Sequence, residues 1–210
     1  MIHENIQTNM YLFPPGMYTK SIATIANILS SAEASFLSKN YADVTMEDIA
    51  EGAGVTRGAA YHHFANKESL YVAMMQSALK EKQALLQTAV ASPGTCRERL
   101  RRLTQIFLEL PREKRDVMKL VRRDINIFKD PVRNQLVRAY QSALPEQIEI
   151  ILKDGIRDGE LAPADVRLLS WMYVAIVEAV LTPYAERVFD NRNDMLDFVI
   201  HLFFNGASAT

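Results

Sequence analysis

With 210 residues and a formal net charge of −1, the chain is long enough to bury a sizeable core and lacks the basic excess of a protein that coats nucleic acid by charge alone. Hydrophobic residues at 49% and charged residues at 23% match an ordinary globular protein. The lone cysteine, Cys96, excludes an internal disulfide and a cysteine-based zinc cluster, and a reducing cytoplasm is the expected location.

Residues 1–20 carry Pro14, Pro15 and Gly16 after the apolar stretch MYLF and offer neither a basic leader nor a long apolar run, so they are expected to be a flexible arm. From there on, apolar residues recur at three- and four-residue spacing and strand alternation is missing, which predicts an all-α fold. Ile25, Ile28, Leu29, Ala32, Phe36 and Leu37 stripe a first helix that ends near Asn40. Thr45 opens the next with Asp48 three residues on, a capping box, and Val44 with Ile49 as a hydrophobic staple. Ala53, Gly54 and Val55 then form a turn in which Gly54 supplies a positive φ, Thr56 caps a short helix from Arg57 to about His63, and Asn66 caps a fourth from Lys67. Two short helices joined by a three-residue glycine turn make a helix-turn-helix, and Ala50, Ala53, Ala59 and Ala60 let the two backbones approach.

Beyond Pro93 the pattern changes to longer amphipathic helices. Leu100, Leu103, Phe107 and Leu110 form a stripe that Pro111 ends, and Val117, Val121, Ile125 and Phe128 form the next. Asp130 and Pro131 look like a cap and first helical residue of a segment bent at Pro145 and ended by Gly159. Pro163 is expected to open a helix to about Leu181, and a last one spans about Asn193 to Asn205, stopped by Gly206. The longest apolar run, Leu168 to Leu181, is interrupted by Ser170 and Glu178 and falls short of the roughly 20 residues that cross a bilayer, so no membrane partner is expected.

A recognition helix sets its N-terminal residues against base edges, which makes Thr56, Arg57, Gly58 and Ala59 groove-facing. Arg57 alone among them can grip guanine O6 and N7 together. Tyr61, His62 and His63 lie one turn later, within reach of phosphates, and Lys67 adds a cation beside free backbone N–H groups. Adjacent histidines point about 100° apart on a helix, so they are not expected to share a metal ion. No metal, cofactor or catalytic residue is expected: a glycine-rich phosphate loop, metal-ligand spacing and a nucleophile with an assigned partner are all lacking.

The residues Ile28, Ala32, Phe36, Thr45, Ile49, Ala50, Ala53, Gly54, Val55, Thr56, Gly58, Tyr61, His63, Phe64, Lys67, Glu68 and Leu70 stand at separations that resemble the DNA-binding domain of TetR-family transcriptional regulators. The resemblance implies an N-terminal three-helix helix-turn-helix DNA-binding domain followed by a larger helical domain for ligand binding and dimerisation, here 21–66 and 67–210. It also implies a homodimer on a palindromic double-stranded operator, a small-molecule effector, and DNA contacts at Thr45, Thr56, Arg57, Gly58, Ala59, Tyr61, His63 and Lys67, to which the helical position adds His62.

Candidates to line an effector pocket are Met74, Met75, Phe107, Met118, Val121, Tyr140, Trp171, Met172, Tyr173 and Glu178, since methionine and aromatics suit an adaptable apolar cavity. The last two long helices are apolar over wide faces, and Leu168, Trp171, Ala175, Val180, Leu196, Val199, Leu202 and Phe203 are the expected dimer interface. The reading is a ligand-responsive regulator, a repressor rather than an enzyme, with an adaptor that organises protein partners on DNA as the alternative. Acids Glu33, Asp43, Glu47, Asp48, Glu51, Glu68 and Glu81 outnumber bases Lys39, Arg57, Lys67 and Lys80 around the helix-turn-helix, so a shallow salt dependence of DNA binding is expected.

Overall fold

Residues 15–206 are described by a computed structural model, with side chains from residue 21 onward, and every regular element among them is helical. In chain order these are α1 (Pro15–Ser38), a 3-10 turn (Tyr41–Asp43), α2 (Met46–Gly52), α3 (Arg57–His63), α4 (Lys67–Val90), α5 (Cys96–Glu109) and α6 (Arg112–Asp124). A second 3-10 turn (Ile125–Ile127) leads to α7 (Val132–Ala143), α8 (Pro145–Arg157), α9 (Val166–Ala179), α10 (Ala185–Val188) and α11 (Arg192–Asn205). Residues 1–14 of the expected arm lie outside the described residues, whereas 15–20 already belong to α1.

The chain divides into two compact units, Met1–Met75 and Gln76–Thr210. The division falls inside α4 rather than before Lys67, because the first turns of α4 contribute to the first unit: the Tyr71 ring packs edge-on against Phe36, 4.8 Å between centroids.

In the first unit α1 buries Ile28, Ala32 and Phe36, spaced by four, along one face. α2 packs against both α1 and α3. Its start is the expected capping box: Thr45 Oγ1 accepts from Asp48 N at 3.1 Å and Asp48 Oδ2 accepts from Thr45 N at 3.0 Å. Its end is a Schellman turn, with Val55 N donating to Ala50 O and Gly54 N to Glu51 O, both at 3.0 Å, and Gly54 at φ +67. Ala50 and Ala60 are fully enclosed where α2 and α3 approach. Gly52 reflects a second close approach, since a Cβ there would come 2.5 Å from the Ser31 hydroxyl, which donates to Ile49 O.

In the second unit α8 packs on α5, α7 and α9, and α11 covers α5 and α9. Leu100, Leu103, Ile151, Leu152, Tyr173 and Val199 form its centre. The buried Tyr173 hydroxyl is satisfied there by Thr104 and by the Leu100 carbonyl, and these hydrogen bonds offset the cost of taking it out of water. Thr95 with Glu98 forms a second capping box that opens α5. Three expected boundaries move. Asp130 does not cap α7, which starts at Val132, and α9 begins at Val166, capped by Asp165 and not opened by Pro163. At Pro145 the chain makes a full break between α7 and α8 rather than a bend. No described helix is long and apolar enough to cross a membrane.

A Cβ at position 54 would meet nothing within 4 Å, so Gly54→Ala isolates the conformational cost of a left-handed residue. Urea denaturation is expected to give a loss of about 1 to 2 kcal/mol with an unchanged m-value. A loss below about 0.3 kcal/mol would mean that the turn tolerates a different backbone path.

Candidate nucleic-acid interface

The short helix α3 owes its start to Thr56, whose hydroxyl accepts from Ala59 N at 3.2 Å. That cap leaves Thr56, Arg57 and Gly58 exposed at the helix N-terminus, with Ala59 half-buried behind them. The surface is open at Gly58, where an added Cβ would find only the Thr56 hydroxyl, 4.0 Å away. Arg57 reaches outward with 65% of its side chain exposed, forming an ion pair of 2.6 Å with Glu47 of α2. Its guanidinium also lies over the Tyr61 ring, 5.4 Å from the centroid. Tyr61 and His62 are exposed one turn further on, and His63 is half-buried. Burial, and then the neighbouring charge of His62, lower the His63 pKa below its usual 6.5, so a neutral imidazole with one N–H is what it presents at neutral pH. Thr45 is exposed on the same unit, its hydroxyl engaged by the cap, and the hydrogen bonds from Thr45 hold the Asp48 carboxyl below the usual range.

Lys67 departs from the expected arrangement. Its ammonium does not stand free for a phosphate: it donates to the carbonyls of Tyr41 at 2.7 Å, Ala42 at 3.3 Å and Val44 at 2.8 Å.

The candidates of the second unit are only partly brought together. Trp171 stacks on Tyr140, 5.9 Å between centroids, and Glu178 pairs with Arg122 nearby. Burial, and then the Glu178 charge, push the Tyr140 hydroxyl up to about 12; the Arg122 guanidinium pulls the other way, but the hydroxyl has no hydrogen bond of normal geometry. Burial likewise raises the Glu178 carboxyl, and outweighs its pairing with Arg122. Met118 and Val121 are buried on α6. Phe107 instead borders, with Tyr173 and Val177, a residual void of about 10 Å³, room for one water at most. Met172 is 52% exposed and so cannot line an interior pocket, and Met74 lies in the first unit. A larger space of about 430 Å³ is a surface cleft beside Trp171, Ile150, Lys153 and Arg167.

Of the expected interface residues, Val180, Leu196 and Val199 are buried by their own chain and have no surface to offer a partner. Leu168, 61% exposed, and Ala175 do face outward; Trp171, Leu202 and Phe203 are half-buried. Met172 and Phe198, the latter 46% exposed, extend that apolar surface, and no sequence pattern separated them from the buried positions.

Two family models match the chain: residues 28–74 fit the bacterial regulatory proteins of the tetR family, and residues 93–206 fit the tetracyclin repressor-like C-terminal domain. The second of these alone covers more than half of the chain. The protein belongs to the TetR family. It is 40% identical over 91 residues to the HTH-type transcriptional regulator TtgR of Pseudomonas putida, a match taking in 41% of this chain and 42% of that protein. The chain thus spans less than half the length of the first curated relatives it matches. Identity to the HTH-type transcriptional repressor AcnR of Corynebacterium glutamicum is 30% over 136 residues, 64% of this chain and 66% of AcnR. The crystal structure of the transcriptional regulator FadR from Bacillus subtilis shares the fold, with a TM-score of 0.73 at 19% identity, covering 87% of this chain and 99% of that one.

In this TetR-family chain the residues that sequence reasoning missed are partners rather than contacts: Glu47 for Arg57, Tyr41 for Lys67 and Arg122 for Glu178. Each pairing joins different elements, and no spacing rule announces it. The His63 shift yields a signed expectation. Its folded-state pKa lies below the unfolded 6.5, so its contribution to stability is complete above pH 6.5 and is lost as pH falls through the folded value. His63→Gln is therefore expected to flatten the decline in unfolding free energy just below that pH, measured by urea titration. An equally steep decline in the variant would place the titrating group elsewhere.

Proposed function

We propose that the protein is a ligand-responsive, DNA-binding transcriptional repressor that binds a palindromic operator as a homodimer. The observation that carries this reading is the outward presentation of Thr56, Arg57 and Gly58 at the capped N-terminus of α3, on a helix-turn-helix whose opposite face is buried. The first unit is the DNA-binding part. Arg57 exchanges Glu47 for a guanine edge, the Ala59 methyl approaches the groove floor, and Thr45, Tyr61, His62 and His63 donate to phosphates. With so few cations available, counterion release is small and the salt dependence shallow.

Dimerisation is assigned to α9 and α11, which touch within the chain. Leu168, Met172 and Ala175 follow one another by four and three residues, a single outward stripe of α9, and Phe198 of α11 adds to the apolar surface. A two-fold dimer matches a palindromic operator whose half-sites recur one helical turn apart, about 34 Å.

The second unit is assigned the effector. Its interior is well packed, so a ligand must displace part of the packing around Phe107, Tyr140 and Trp171, and binding is coupled to a change of conformation. A ligand that prefers the rearranged state shifts the population away from the DNA-competent one, and operator DNA weakens the ligand by the same factor. A small apolar or amphipathic compound suits these surroundings; FadR of Bacillus subtilis was crystallised with stearoyl-CoA, which supports a ligand of that character.

The DNA reading is tested by selecting operators from random duplexes with the native protein and with Arg57→Ala. The variant is expected to lose base preference at one position in each half-site, worth about 1 to 3 kcal/mol, and identical selected sequences would show that Arg57 reads no base. The dimer reading is tested separately by Met172→Glu, expected to sediment as a monomer at micromolar concentration where the native protein sediments as a dimer. A native monomer, or a variant that stays dimeric, would overturn the assigned face.

A further inference from the structure

We infer that Lys67 is a positioning residue, a clasp that joins the two ends of the helix-turn-helix, and not a contact to phosphate; the inference rests on the DNA-binding reading above. An ammonium group carries three N–H donors and no acceptor. Here all three have partners, the carbonyls of Tyr41 at 2.7 Å, Ala42 at 3.3 Å and Val44 at 2.8 Å. The Tyr41 ring covers a further side of the charge, with Nζ 4.6 Å from its centroid. Reaching a phosphate would strip these donors from three carbonyls, two of whose bonds are part-buried.

The anchor for this clasp is rigid. Tyr41 stacks on Phe36, 5.7 Å between centroids at 12°, and meets the Tyr71 ring edge-on at 5.4 Å. The place of the carbonyls gives the contact its purpose. Val44 immediately precedes Thr45, the cap of α2, whereas Lys67 follows α3 by four residues. One side chain therefore ties the backbone ahead of the first helix of the motif to the backbone behind the second. A tilt of α3 against α2 that carries the start of α4 with it lengthens these charge-assisted bonds, so the clasp resists that movement of the helix that bears Arg57.

The test uses the full-length protein and the variants Lys67→Met and Tyr41→Leu. The probes are a duplex that the native protein selects from a random pool of about 30 base pairs and an unselected duplex of equal length, both titrated from about 50 to 200 mM salt. A positioning role predicts that Lys67→Met loses about tenfold on the selected duplex and little on the unselected one, with the slope of log affinity against log salt unchanged. Tyr41→Leu, which keeps the charge, is expected to lower the same ratio. Equal losses on both duplexes with a slope shallower by about one would make Lys67 a phosphate contact and overturn the proposal. Unchanged affinities with only a lower melting temperature would reduce Lys67 to general stability and overturn it equally. If Lys67→Met does not fold, Tyr41→Leu decides alone, an unchanged ratio counting against the clasp. If the native protein selects no duplex, the DNA reading is what fails. Amide exchange then tests the clasp by itself: faster exchange at Thr45 and Asp48 in either variant supports it, and native protection overturns it.

Discussion

Helices of seven residues do not persist in water on their own, because a single helical turn costs more order than its first hydrogen bonds return. Both α2 and α3 are of that length, so the helix-turn-helix depends on the constraint that joins them, the left-handed turn at Gly54. The Schellman bonds from Val55 and Gly54 satisfy the last carbonyls of α2 while reversing the chain, and the Thr56 hydroxyl starts α3 three residues after Ala53. With the angle set, alanines at positions 50 and 60 let the two backbones come close, and the N-terminus of α3 is left facing away from the α1 packing. The exposed N-terminus of α3 is a consequence of that one turn and its caps.

Electrostatics on this surface are arranged within the chain before any DNA arrives. Arg57 is paired with Glu47, but both side chains are largely exposed, and pairs of that kind are worth at most about 1 kcal/mol. A bidentate contact to guanine contributes about 1 to 3 kcal/mol, so on the proposed DNA-binding reading the exchange favours the base. Lys67 stands at the other extreme. Its donors are taken up by carbonyls ahead of the motif, and no comparable gain offsets their loss.

The second unit shows how a helical core handles polarity. Tyr173 and Thr104 satisfy each other in the centre, whereas the Tyr140 hydroxyl is buried without a hydrogen bond beside the Arg122 and Glu178 charges. An unpaired hydroxyl of this kind costs on the order of 1 to 3 kcal/mol. On the proposed effector reading, that cost supports the region around Tyr140 and Trp171 as the place where packing yields to a ligand.

Local chemistry was legible in the chain from the outset. Thr45, Asp48, Gly54, Thr56 and Asn66 act on neighbours within a few residues, and the caps and turn they imply are the ones observed. All-helical character followed for the same reason, since the 3.6-residue period is written into successive positions. Burial on α9 and α11 was not legible: Val180, Leu196 and Val199 are apolar like Leu168, Met172 and Phe198, yet the former are interior and the latter exposed. The assignment depends on which neighbouring helix covers each face, and that is settled only when the whole unit packs. Pairings such as Lys67 with Tyr41 and Arg122 with Glu178 belong to the same class. They join groups 26 and 56 residues apart, and the physical partner of a charge at that separation is decided by the fold and by nothing nearer in the chain.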